Sequence, residues 1–133
     1  MIRRAVGIFV ASILFGLALL HLYWAAGGTW GLSAALGGGS APSRIAPLIV
    51  AVLLLSGSAF ALVRVGLIQL AAPPIVIRAA LGLMTISFLA VAVINAHDST
   101  SLERFGFAPF SALLAVLTSV LIFGSKDPAG KGG

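Results

Sequence analysis

The chain has 133 residues, of which 60% are apolar and only 8% charged, and its mean hydropathy is +1.18; a water-soluble domain needs a charged coat, so this composition excludes one and points to lipid. The net charge of +5 comes from eight Lys and Arg scattered between apolar runs rather than gathered into a basic stripe, which excludes a nucleic-acid-binding face. With no cysteine there is no disulfide, thiolate metal site or cysteine nucleophile.

A hydrocarbon layer about 30 Å thick is crossed by about 20 helical residues. Four stretches are of that order, at residues 6–24, 45–63, 75–96 and 107–123, and the only charged residue inside them is Arg78, near enough to one end to snorkel. Continuous apolar runs such as Leu53 to Leu55 and Ala90 to Val93 lack the alternation of barrel strands, and lipid offers no partner to open backbone groups, so helices are required. The expected fold is all-α: an integral membrane protein with four transmembrane helices in one antiparallel bundle over residues 1–124, followed by a flexible tail at 125–133.

In chain order, Arg3 and Arg4 precede the first span as they would in a secretory leader. That span, however, runs into bulky His21, Leu22, Tyr23 and Trp24 instead of a small-residue cleavage site, so a retained helix is expected. Gly37, Gly38, Gly39, Ser40, Pro42 and Ser43 read as a flexible loop before span two. Pro73 and Pro74 stop any helical continuation into span three, and Thr100 with Glu103 has the T-x-x-E spacing of a capped turn leading into span four.

The spans carry small-xxx-small pairs at Ser12 and Gly16, Gly57 and Ala61, and Ala92 and Ala96, the spacing by which helices approach closely in lipid. Their polar residues, Ser12, Ser56, Ser58, Thr85, Ser87, Thr118 and Ser119, are expected to bond their own helix or a neighbour. Arg3, Arg4, Arg64, Arg78, Lys126 and Lys131 fall on one side and only Arg44 and Arg104 on the other. By the positive-inside rule both termini are expected in the cytoplasm.

Chemically distinctive residues gather at the opposite rim: His21, Tyr23, Trp24, Gly27, Gly28, Trp30 and Gly31 after span one, and Asn95, His97, Asp98, Glu103, Arg104 and Arg44 beside them. Three uses suit this set. His21 and His97 are candidate ligands for haem or another metal, with Trp24 and Trp30 lining the site. Tyr23, Trp24 and Trp30 also fit an interfacial aromatic belt with His21 hydrogen-bonded at headgroup depth. The third use is a lid, in which the segment from His21 to Gly31 tucks back over an outer-facing pocket for a headgroup, quinone or pigment. No phosphate loop, G-x-S-x-G elbow or buried carboxylate pair is present, so no catalytic residue is nominated.

The run His21-Leu-Tyr-Trp-Ala-Ala-Gly-Gly-Thr-Trp-Gly31 resembles the signature of the DUF3995 family of small bacterial four-helix membrane proteins, an H-x-Y-W-A-x-G-G-x-W-G stretch after the first helix. Arg104, Phe105 and Pro109 are similar, more loosely, to the start of the family's last helix. The resemblance implies a four-helix fold and no particular function. Taken together, the sequence is read as an accessory or structural subunit of the bacterial inner membrane, packed against a larger membrane complex or against its own copies, with no cofactor expected. The alternative is an outer-facing ligand, haem, metal or pigment site on His21 and His97, and a small-solute transporter is third, because no span holds a mid-membrane charge.

Overall fold

The structure, a computed structural model, describes residues 2–32, 43–98 and 101–123. It is all-helical, with α1 at Ile2–Ala25, α2 at Ile45–Arg64 and α3 at Pro74–Ala96. A π-helical turn at Glu103–Phe107 then runs directly into α4 at Ala108–Phe123. All four helices are long and apolar enough to cross a membrane, the fourth when its π-helical turn is included. The loop glycines 37–39, Thr100 and the tail at 125–133 lie outside the described residues.

Helix ends follow local chemistry. Gly66, at φ +76°, ends α2: its N–H bonds Val63 O at 3.0 Å and the Leu67 N–H bonds Leu62 O at 3.0 Å, the paired closure of a glycine-terminated helix. Pro74 starts α3 at the first helical position, where a missing N–H costs nothing. Pro109 sits one residue into α4, and its ring and absent N–H disturb the regular ladder there. The wider turn just before it takes up the mismatch, with the Ala108 N–H bonding Glu103 O.

The helices form two antiparallel hairpins, α1 with α2 and α3 with α4, joined by lighter contacts of α1 with α4 and α2 with α3; α1 and α3 are therefore diagonal. Ser58 Oγ–H donates to Ala11 O at 2.9 Å across the first hairpin, and Thr85 and Thr118 share a hydroxyl hydrogen bond of 2.8 Å across the second. The core between them is built from Val10, Ala11, Leu14 and Ala18 of α1, Leu54 and Ala61 of α2, Ile77 and Leu81 of α3 and Leu121 of α4.

Span ends differ from the hydropathy reading by more than one residue in two places. Helix α1 starts at Ile2 rather than residue 6, because Arg3 and Arg4 continue the helix although they end the apolar run. The fourth span starts at Glu103 rather than residue 107, because the π-helical turn is continuous with it. Among the small-residue pairs, Gly57 and Ala61 are buried in the α2 seam as expected, and Met84 of α3 lies over Gly57. Ala92 is buried while Ala96 is exposed. Ser12 and Gly16 are both exposed and Gly16 faces open space, so this pair takes no part in packing within the chain. Ala11, Leu14 and Ala18 occupy the seam instead, three and four residues apart on the other face of α1.

Adjacent residues of α1 give a direct check on this placement. Leu14 is fully buried, whereas Phe15 is 50% exposed. In reversible unfolding from lipid-like micelles, Leu14→Ala should lose about 2 kcal/mol or more, and Phe15→Ala less than about 0.5 kcal/mol. Equal losses at the two positions would contradict the packing.

Candidate functional site

The end of α1 is closed by the glycines of its motif. The Gly27 N–H bonds Trp24 O at 3.0 Å and the Gly28 N–H bonds Tyr23 O at 2.9 Å, with Gly27 at φ +102°, a conformation that side chains disfavour. This reverses the chain directly over the last helical turn. Gly28 lies against the Tyr23 ring so closely that any side chain there would collide with it. Arg44, from the residue before α2, crosses the same turn, its Nη2 3.1 Å from the place a Gly27 side chain would begin.

Trp24 then fastens the returning segment: its Nε1–H donates to Trp30 O at 2.8 Å. Trp30 takes part through its backbone, since the residue itself is 75% exposed. His21, one turn earlier, meets Trp24 edge to face with ring centroids 4.9 Å apart and planes at 65°. Its Nδ1 lies 2.8 Å from Leu17 O, and because a carbonyl only accepts, Nδ1 carries the proton. A neutral His21 ring therefore presents Nε2 as a lone pair.

His97 follows the same local rule on a different helix. It caps the C-terminal end of α3, is exposed, and donates from Nδ1 to Val93 O at 2.8 Å. Its helix is diagonal to α1, and among the described residues no hydrogen bond or ring contact joins the two histidines. Nor do any three His, Asp or Glu side chains there form a group able to hold a metal ion. Of the candidate residues, then, His21, Tyr23, Trp24 and Trp30 are assembled into one folded-back turn, and His97 stands at the end of another helix.

One residue at this rim stands out only in the structure. Glu103 is just 6% exposed and opens the π-helical turn. In sequence it is one polar residue of several, and its T-x-x-E spacing was the sole signal. Π-helical turns recur at functional positions, which makes this carboxylate notable. Arg104 beside it donates from Nη2 to Asp98 O at 2.8 Å and braces the short connection from α3.

A family model described as "Protein of unknown function (DUF3995)" matches residues 14–118, from the middle of α1 through most of α4 and across the whole folded-back turn. The chain belongs to the DUF3995 family. Neither the curated proteins nor the solved structures hold a match to it. In this DUF3995 chain the polar and glycine positions of the His21 to Gly31 run have identifiable mechanical uses: Gly27 and Gly28 permit the reversal, Tyr23 packs on it, and Trp24 ties it down.

Two glycines of this chain separate turn chemistry from mere helix filling. Gly27→Ala forces a side chain into positive φ and against Arg44, and should cost about 1–2 kcal/mol of unfolding free energy. Gly16→Ala, facing open space, should stay within about 0.5 kcal/mol of the parent. A neutral Gly27→Ala would remove the turn described here.

Proposed function

We propose that this chain is an accessory subunit of the bacterial inner membrane, docking on a larger membrane protein through the outward face of α3. The observation that carries this reading is the imbalance of burial among the helices. Of an 18-residue apolar stretch in each helix, only 17% is buried within the chain in α3, against 28% in α1 and 33% in each of the other two. Its buried residues are Ile77, Leu81 and Ala92, with Met84, Thr85 and Phe88 partly buried beside them, while Leu83, Ile86, Val93 and Ile94 are each at least 60% exposed.

The turn at the His21 end supports the same reading. Two of its ring N–H donors engage the chain itself: His21 Nδ1 bonds Leu17 O and Trp24 Nε1 bonds Trp30 O. For orientation, Arg3, Arg64 and Arg78 lie at one end of the bundle with Arg4, and Arg44 and Arg104 at the other, which under the positive-inside rule favours a cytoplasmic side for the Arg3 end and for both termini.

A second reading rests on one specific feature, the Nε2 lone pair that His21 presents beside the Trp24 ring. Such a nitrogen suits a metal, haem or pigment bound at the outer rim, with His97 or Trp30 as further contacts. A purified chain that carries such a group absorbs in the visible or holds stoichiometric metal, and His21→Ala removes the signal. A colourless, metal-free preparation excludes it.

For the subunit reading, photo-crosslinking side chains placed at Ile86 and Val93 should join the chain to one recurring membrane protein, while the same probe at Phe9 of α1 or Val116 of α4 should not. Crosslinks between copies of the chain would point to a homo-oligomer in place of a larger complex, and crosslinks equally distributed over all four sites would mean that lipid alone covers α3. For orientation, a reporter active only outside the cytoplasm should be silent when fused after Lys126. Activity there would reverse the assignment.

A further inference from the structure

The end of the bundle away from the His21 turn brings together Arg3 from the first turn of α1, Arg64 from the last turn of α2 and Arg78 from the second turn of α3. Arg64 lies within electrostatic reach of both other guanidiniums. Two of the three have a structural reason to be there. Arg3 donates from Nη2 to Arg64 O at 3.3 Å, and Arg64 from Nη2 to Ile122 O at 3.4 Å, so each sits on the carbonyl-rich end of a helix, where the helix dipole favours a cation.

Arg78 has no such reason. It stands near the N-terminal end of α3, where the dipole disfavours a positive charge, and it adds to the repulsion at Arg64. Arg64 Nε–H is covered by protein and meets no acceptor. The described carboxylates, Asp98 and Glu103, belong to the opposite end of the bundle, and Asp127 lies outside the described residues. The unmatched Arg64 Nε–H and the exposed Arg78 on the adjoining helix suit an anion that offers several acceptor oxygens to both guanidiniums.

We propose that Arg64 and Arg78, with Arg3 adding positive charge beside them, form a binding site for a phosphate group, carried by an anionic lipid headgroup or free in solution. Planar guanidinium forks match paired phosphate oxygens, and the N-terminal end of α3 turns the positive end of its dipole toward the same anion. The site lies at the end of the membrane-crossing segments, the depth at which basic pockets between helices receive lipid phosphates. Exposed Ile2 and Ile75 beside it offer apolar surface to acyl chains.

The test uses the full chain in mixed micelles, followed by native mass spectrometry with phosphatidylglycerol and phosphatidylcholine as competing lipids and by thermal unfolding with inorganic phosphate. Phosphatidylglycerol should be retained in preference to phosphatidylcholine, and Arg78→Gln should weaken that retention about fivefold. The pair Arg44→Gln and Arg104→Gln at the far end should leave it unchanged. If inorganic phosphate raises the unfolding temperature of the parent but not of Arg78→Gln, and the lipids are not distinguished, the ligand is free phosphate. Arg64→Gln can unfold the chain because Arg64 also closes the end of α4, so exposed Arg78 carries the test. The site is overturned if neither probe separates Arg78→Gln from the parent, or if the Arg44 and Arg104 pair loses as much.

Discussion

Lipid gives helices no hydrophobic reason to prefer one another to their solvent, so this structure depends on the few places where backbones come close or a hydroxyl crosses between helices. Those places are two seams. In the first, alanines and glycine of α1 and α2 allow the approach that brings Ser58 within 2.9 Å of Ala11 O. In the second, Thr118 is fully buried and bonds both Leu114 O of its own helix and the Thr85 hydroxyl. Large side chains such as Leu14, Leu81, Leu114 and Leu121 fill what the seams leave, while most other large apolar residues point outward.

The two ends of the bundle solve different problems from this common frame. At the His21 end the long connection must leave α1 and return to α2, and glycines at positive φ turn it back across the helix end, where Trp24 and Arg44 hold it. At the Arg3 end the connection of α2 to α3 is short and closed by Gly66, and cations gather on the helix ends. The two ends of the bundle therefore differ both in charge and in turn chemistry.

Four spans were legible in the sequence because unbroken apolar length is itself the signal, and the family was legible in eleven residues. Which face of each helix packs was not. Around an apolar helix in lipid, inward and outward faces look alike, so Ser12 with Gly16 and Gly57 with Ala61 have the same spacing and opposite placements. The cluster at the His21 end was legible as a cluster, but its mechanics needed the backbone angle of Gly27 and the reach of Arg44 from beyond a long loop. Burial of Glu103 was hidden as well, because it arises from a π-helical turn that apolar periodicity does not reveal. Arg64 and Arg78 were counted for orientation, whereas their convergence with Arg3 is a property of the folded bundle alone.

The seams are the claim on which all of this stands, and a chain without cysteine allows a clean test of them. In native membranes, a Thr85→Cys, Thr118→Cys variant should form an intramolecular disulfide under mild oxidation, because the two hydroxyl oxygens lie 2.8 Å apart. A Thr85→Cys, Ser119→Cys variant, moved one position around α4, should not. Crosslinking of the second pair with failure of the first would contradict the register of the bundle.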